Sequence, residues 1–230
     1  MSHLILLPGL LNDERLWSHQ TRSLADLAKL TVPVLTEDES LAAMAARILA
    51  QAPPRFSLAG LSMGGYVAME IMRRAPDRVE RLALMDTTAR PDTPEQSQRR
   101  IDAVALAQAG GFEKIMPTLL PMLVHPDHLA LERVGGLAKD MARRIGAEAF
   151  ARQQNAIRHR PDARPALPRI TCPTLVLVGR DDALTPPDRA EEMAALIPGA
   201  RLVMIEECGH LSAIEQPQAV SAVLRYWLQG

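Results

Sequence analysis

Six short apolar runs punctuate the chain, at residues 4–7, 30–35, 55–59, 79–85, 174–178 and 201–205. Each is too short for a helix and is stopped by proline, glycine or a polar residue, so each predicts a strand. Most are apolar at nearly every position rather than at every second one. That is the pattern of strands buried on both faces of a parallel sheet. Pro33 weakens the second run and assigns it to an irregular or edge position. Between the runs, residues 15–27, 40–49, 63–74, 188–196 and 218–228 repeat apolar side chains every three or four positions, which predicts amphipathic helices. Pro186, Pro187 and Pro217 stand where helix first turns accept them. The expected fold class is therefore α/β, a doubly wound, mostly parallel sheet of about six strands.

One stretch breaks the alternation. Residues 87–168 hold no strand pattern, only helix-like segments at 99–109 and 129–145 and a loop around His125-Pro126-Asp127-His128. An insertion of that size after the fourth strand predicts a helical cap over the carboxyl edge of the sheet. The expected organisation is a core of residues 1–86 and 169–230 with a cap of residues 87–168. The Pro- and Arg-rich residues 158–165 read as the return linker. No internal repeat or low-complexity tract interrupts this picture.

Composition narrows the class. The chain has 230 residues with 26 Lys+Arg against 27 Asp+Glu, a net charge of −1, and 47% apolar residues. That is ample core for one domain with an insertion, and no electrostatic footprint for nucleic acid or an anionic membrane. Three Phe, two Trp and two Tyr are too few for rows of base-stacking aromatics. The apolar N-terminus lacks a basic leader, and no run approaches the ~18 residues of a membrane span. A cytoplasmic protein is expected, as monomer or homodimer. Cys172 precedes the fifth strand and Cys208 follows the sixth. Opposite ends of neighbouring strands lie ~17 Å apart, so two free thiols are expected rather than a disulfide. His125 and His128 without further ligands do not make a metal site, and no metal or other cofactor is expected.

The sharpest local signal is Gly60-Leu61-Ser62-Met63-Gly64. It fits G-x-S-x-G and falls between a predicted strand and a predicted helix, the context that gives the motif meaning. Glycines at 60 and 64 relieve a tight strand-to-helix turn and leave the Ser62 hydroxyl at its tip. The following helix aims free N–H groups and partial positive charge at whatever Ser62 attacks. A serine hydroxyl needs a base. Of six histidines, His210 follows the last predicted strand and so shares the carboxyl edge with Ser62; His3, His19, His125, His128 and His159 lie elsewhere. The base needs an acid to fix its tautomer. Asp181 and Asp182 both follow the fifth strand, spacing does not separate them, and Asp86 after the fourth strand is a geometric rival.

Taken together, these motifs resemble the α/β-hydrolase family over nearly the whole chain. Ser62, Asp182 and His210 occur in that family's nucleophile–acid–histidine order, and Gly60-x-Ser62-x-Gly64 resembles its nucleophile elbow. Gly179-x-x-Asp182-x-x-x-Pro186 looks like the family's acid loop, which selects Asp182 over Asp181. Gly209-His210 looks like its histidine loop. Pro8-Gly9-Leu10, followed by Trp17, resembles its first-strand oxyanion loop, with Pro8 where His is usual. The resemblance implies an oxyanion hole from the backbone N–H groups of Leu10 and Met63. It also implies a serine hydrolase acting on a small carboxylic ester or lactone through an acyl-enzyme. The alternatives are a C–C bond lyase or synthase similar to the menaquinone-pathway members of the fold, and a ligand receptor on a hydrolase scaffold.

Residues 87–168 carry twelve Arg+Lys against nine acids. This reads as a solvated helix face, with recognition of a substrate carboxylate or phosphate as the alternative. Ile115, Met116, Leu119, Leu120, Met122 and Leu123 are the expected material of an acyl pocket or of cap packing.

Overall fold

The computed structural model describes residues 2–230. Its centre is a six-stranded sheet in the order β2-β1-β3-β4-β5-β6, and every neighbouring pair is parallel. The strands are β1 (Ser2–Leu7), β2 (Ala28–Thr31), β3 (Phe56–Leu61), β4 (Val79–Met85), β5 (Thr174–Gly179) and β6 (Arg201–Ile205). Side chains alternate faces along a strand, and here both faces are covered. Leu4, Leu6, Leu61, Met85 and Leu177 pack on one side with Trp17, Val220, Leu224 and Trp227. Ile5, Leu7, Leu58, Leu84 and Val176 pack on the other with Met44, Ile48, Val67, Ile71 and Met193.

The first layer is built by α1 (Ser18–Ser23) and two later helices, α8 (Ser212–Glu215) and α9 (Pro217–Gln229); α2 (Leu41–Gln51), α3 (Met63–Arg74) and α7 (Pro187–Leu196) build the second. Ser40 caps α2 by accepting from the Ala43 N–H at 3.1 Å. Between β4 and β5 the chain is helical, with α4 (Pro94–Leu106), α5 (Ile115–Leu123) and α6 (Leu137–Arg158). A full capping box starts α4, Thr93 accepting from Gln96 and Gln96 from Thr93. α6 bends at Gly146, whose φ of 78° breaks the helix.

Three expected elements differ. The second strand covers Ala28–Thr31 rather than 30–35; it is one of the two sheet edges and only half-buried, so Ala28 alternates with exposed Lys29 and the apolar residues beyond belong to a loop. The helix expected at 15–27 is a single 3-10 turn, Glu14–Trp17, followed by α1, and it ends where Leu24 turns into the core. The helix expected at 129–145 is displaced onto α6.

Among the described residues no helix is long and apolar enough to cross a membrane. Cys172 and Cys208 are both free thiols.

The packing around the β3–α3 turn leaves no space for a methyl group. A Cβ on Gly64 would lie 2.7 Å from the Leu7 carbonyl carbon, and one on Gly60 would lie 2.7 Å from the Gly65 nitrogen. Both obstacles are backbone, which cannot rotate away. Gly64→Ala is therefore expected to cost about 3 kcal/mol, a fall in Tm of roughly 6–12 °C for a chain of this size. Thermal denaturation by circular dichroism reads this directly, and an unchanged Tm would contradict the packing described.

Candidate active site

Ser62 sits between β3 and α3 with φ 56° and ψ −116°. A non-glycine residue at positive φ stores strain and persists only when its surroundings over-determine it. Here they do. The Ser62 N–H donates to Met85 O at 2.9 Å, and its carbonyl accepts from Gly65 N–H at 2.8 Å and from the Thr87 hydroxyl at 2.9 Å. The hydroxyl is held at the carboxyl edge of the sheet, at the start of α3. Met63 is the first residue of that helix, so its N–H has no intrahelical acceptor.

The Pro8-Gly9-Leu10 loop lies directly alongside. A Cβ on Gly9 would stand 3.3 Å from Ser62 Cβ. The loop is shaped by Leu11, with φ 60°, whose N–H donates to Gln153 Oε1 at 3.0 Å. Gln153 belongs to α6 and donates in turn to Leu35 O at 2.9 Å. Taking up the Leu11 donor in this way leaves Leu10 beside Ser62 on the cavity wall. Trp17 is fully buried in the core and takes no part in the cavity.

Asp182 and His210 meet across two loops. His210 Nδ1 lies 2.8 Å from Asp182 Oδ2, both side chains being essentially excluded from solvent. Asp182 Oδ1 accepts from the N–H groups of Leu184 and Thr185, each at 2.9 Å. The Thr185 hydroxyl donates to Oδ2 at 2.7 Å. Every lone-pair direction of the carboxylate is thus used, and the histidine must present Nδ1–H to it. That tautomer leaves Nε2 as an acceptor, and Nε2 is buried without a partner among the described residues. No hydrogen bond joins it to Ser62 Oγ in the structure; both residues line one cavity of about 180 Å³. Catalytic hydrogen bonds of empty sites commonly tighten only around a substrate. Asp181 points away, its side chain 45% exposed and 3.7 Å from His125.

Burial by itself lowers the basicity of His210, but the adjacent Asp182 charge and hydrogen bond, with Asp86 and Glu215 behind, more than offset it. The imidazole is held above its usual range.

Sequence reasoning missed the supports. Glu215 is buried and accepts from the N–H groups of Gly209 at 3.1 Å, Leu211 at 3.0 Å and His125 at 2.8 Å, and its Oε2 lies 3.1 Å from His128 Nδ1. It therefore fixes the residues on either side of His210 and ties them to the chain after α5. The His210 N–H itself donates to Leu123 O at 3.0 Å. No hydropathy pattern marks Glu215, Gln153 or Thr185, because each is a polar residue buried by its hydrogen bonds. Of the expected acyl-pocket residues, Leu119 and Leu123 line the cavity. Ile115, Met116 and Leu120 are buried in the core, and Met122 is exposed. Around His125 and His128, as elsewhere among the described residues, no cluster of three side chains able to hold a metal ion occurs.

Asp86, the rival acid, is wholly buried and occupied elsewhere. Its Oδ1 accepts from Gly179 N–H at 2.9 Å and its Oδ2 from the Ser212 hydroxyl, so it braces the ends of β5 and of the histidine loop. Burial first, then the Asp182 charge, raise its carboxyl well above the usual range. The folded protein therefore holds a proton there that the unfolded chain releases at lower pH. That contribution to stability is complete below the unfolded pKa of ~3.9 and is lost as pH rises through the folded value. Asn carries no such dependence while keeping both contacts. Asp86→Asn is expected to gain stability relative to the parent as pH is raised from 4 to 8, measured as the difference in Tm. A difference independent of pH would show that Asp86 is ionised throughout.

The model of the alpha/beta hydrolase family matches residues 4–223 of this chain. A pimeloyl-[acyl-carrier protein] methyl ester esterase from Neisseria meningitidis serogroup B is 32% identical over 197 residues, covering 83% of this chain and 75% of that protein. Among solved structures, a thermophilic esterase from Thermogutta terrifontis with malate bound superposes with a TM-score of 0.91 at 31% identity, covering 100% of this chain and 90% of the other. The enol-lactonase from Burkholderia xenovorans LB400 gives a TM-score of 0.89 at 26% identity, covering 100% and 92%.

Proposed function

The chain belongs to the alpha/beta hydrolase family and is a carboxylic ester hydrolase, and from that premise we propose that Ser62 is its nucleophile, His210 its general base and Asp182 the acid that orients the base. The observation that carries this reading is the Asp182–His210 pair at 2.8 Å, whose free Nε2 is buried at the cavity that Ser62 also lines.

In the first half-reaction the Ser62 oxygen attacks the ester carbonyl carbon while its proton passes to His210 Nε2. The tetrahedral oxyanion is held by the N–H groups of Leu10 and Met63, each worth about 3 kcal/mol to the transition state. His210 then returns the proton to the departing alkoxide oxygen, releasing an alcohol and leaving the acyl group on Ser62. In the second half a water gives a proton to His210 and attacks the acyl carbon. Collapse restores the Ser62 hydroxyl and releases the acid. The imidazolium that forms twice is stabilised by the Asp182 carboxyl group held 2.8 Å from Nδ1. Substrates of this reading are small carboxylic esters or lactones, matched to the cavity.

Residues 87–168 act as a cap over this edge. Supporting that role, Leu119 and Leu123 of α5 form part of the cavity wall, and Gln153 of α6 shapes the oxyanion loop.

Turnover of p-nitrophenyl acetate and butyrate tests the reading. The expected result is multiple turnovers with kcat of roughly 1 s⁻¹ or more, rising with pH through a midpoint above ~6.5 as His210 loses its proton. Release of nitrophenol no faster than by a His210→Ala variant would exclude it and favour a lyase on the same fold.

A further inference from the structure

Four arginines line the cavity beside Ser62, namely Arg90, Arg100, Arg160 and Arg189, and no aspartate or glutamate does. Two of them are neutralised in pairs. Arg90 is paired with Glu192 at 2.8 Å, and Arg189 lies 3.1 Å from Asp188 at the rim. Arg100 and Arg160 differ, because they share one buried carboxylate. Asp92 accepts from Arg100 Nε at 2.6 Å and from Arg160 Nη1. This trio carries one surplus positive charge in a place where charge is costly.

The guanidinium of Arg160 is held rigidly. Its Nε donates to Arg90 O at 2.9 Å and its Nη1 to Ile157 O at 3.1 Å, and its Cζ lies 4.6 Å from the Tyr66 ring centroid. Its side chain is only 5% exposed. Nη2 alone has no acceptor among the described residues. Tyr66 stands one turn after Ser62 on α3, about 6 Å along the axis. Arg160 and Ser62 line the same cavity, so one ligand can meet both.

We propose that this cavity selects esters bearing a second carboxylate, which binds Arg160 and Arg100 while the ester carbonyl meets Ser62. The proposal rests on the reading of Ser62 as nucleophile and names the class of substrate that site takes. One surplus charge matches one carboxylate, and a planar guanidinium matches its two oxygens. The apolar wall formed by Leu119, Leu123 and Ile157 covers the carbon chain between the two groups.

The test compares p-nitrophenyl hydrogen glutarate with p-nitrophenyl hexanoate, of similar length and leaving group. It also compares 4-(butyryloxy)benzoate with its methyl ester, which places the charge on the alcohol side. Expected is at least a tenfold advantage in kcat/KM for the anionic member of one pair, expressed in KM and reduced by 0.5 M NaCl. Arg100→Gln leaves Asp92 balanced by Arg160 alone and should bring the ratio below about threefold, whereas Arg100→Lys keeps a measurable preference. Glutarate binding to Ser62→Ala, measured by calorimetry, reads the carboxylate site without turnover. Neutral esters hydrolysed with no anionic preference, and no glutarate bound, would overturn the proposal and leave Ser62 in its role. Glutarate bound by a protein that hydrolyses no ester would keep the carboxylate site and remove the nucleophile. A preference that survives intact in Arg100→Gln would also refute the assignment.

Discussion

Ser62→Ala is expected to abolish ester hydrolysis, with kcat falling roughly 10⁵- to 10⁶-fold and substrate binding little changed. In the proposed mechanism the hydroxyl oxygen forms the acyl bond, so no neighbouring group can replace it. The cost to the fold is expected to be small, because the main-chain bonds from Ser62 N–H to Met85 O and from Thr87 to Ser62 O survive the change. Alanine inherits the same φ of 56° and its strain. Ser62→Gly removes both hydroxyl and strain. It should be equally inactive yet more stable than the parent by about 1 kcal/mol, the strain relieved less the entropy that glycine adds to the unfolded chain. A melting experiment on the pair separates the two effects. An Ala variant retaining even a hundredth of the parent rate would mean that another residue performs the attack.

Asp182→Asn is expected to have the second largest effect, and to act through geometry. In the parent, Oδ1 accepts two backbone N–H groups and Oδ2 faces His210 Nδ1. Asparagine can satisfy the two backbone donors only by placing its own oxygen at the Oδ1 position. Its NH₂ group then occupies the Oδ2 position and donates to Nδ1. The histidine is driven to the Nε2–H tautomer, which cannot take the Ser62 proton, and a loss of about 10⁴ in kcat is expected. The pH midpoint of the residual activity should fall, since the Asp182 charge that raised His210 is gone and burial still lowers it. Asp86→Asn, by contrast, is expected to stay within tenfold of the parent rate. Equal losses in the two variants would show that both carboxylates serve the histidine.

β1, β3, β4 and β5 were legible because strands buried on both faces are continuous apolar runs with hard stops; β6, the other edge strand, was legible because Leu202-Val203-Met204-Ile205 is an apolar run, although only Ile205 is buried. β2 was not, since an edge strand with one wet face reads as Ala-Lys-Leu-Thr, and the more apolar Val32-Pro33-Val34-Leu35 beside it draws attention. α6 was displaced because Gly146 looks like an end, and because Gln153, Gln154 and Asn155 dilute its apolar spacing. Two of these, Gln153 and Gln154, are buried to serve groups from other elements. Topology placed Ser62, Asp182 and His210 at one edge of the sheet before any coordinates, because all three follow parallel strands. Spacing alone left Asp181 and Asp182 open; the structure sets Asp182 against His210 and turns Asp181 outward. The arginines show the limit most clearly. Their count in residues 87–168 suggested a solvated face, and only the fold shows that Arg90, Arg100 and Arg160 converge on the cavity.

The central claim is that Ser62 becomes covalently acylated, and labelling with a serine-directed fluorophosphonate tests it most directly. Digestion and mass spectrometry should find a single adduct, on the peptide that contains Ser62, formed at least a hundredfold more slowly in His210→Ala. An adduct on any other residue, or none on protein that is folded and turning over ester, would contradict the account.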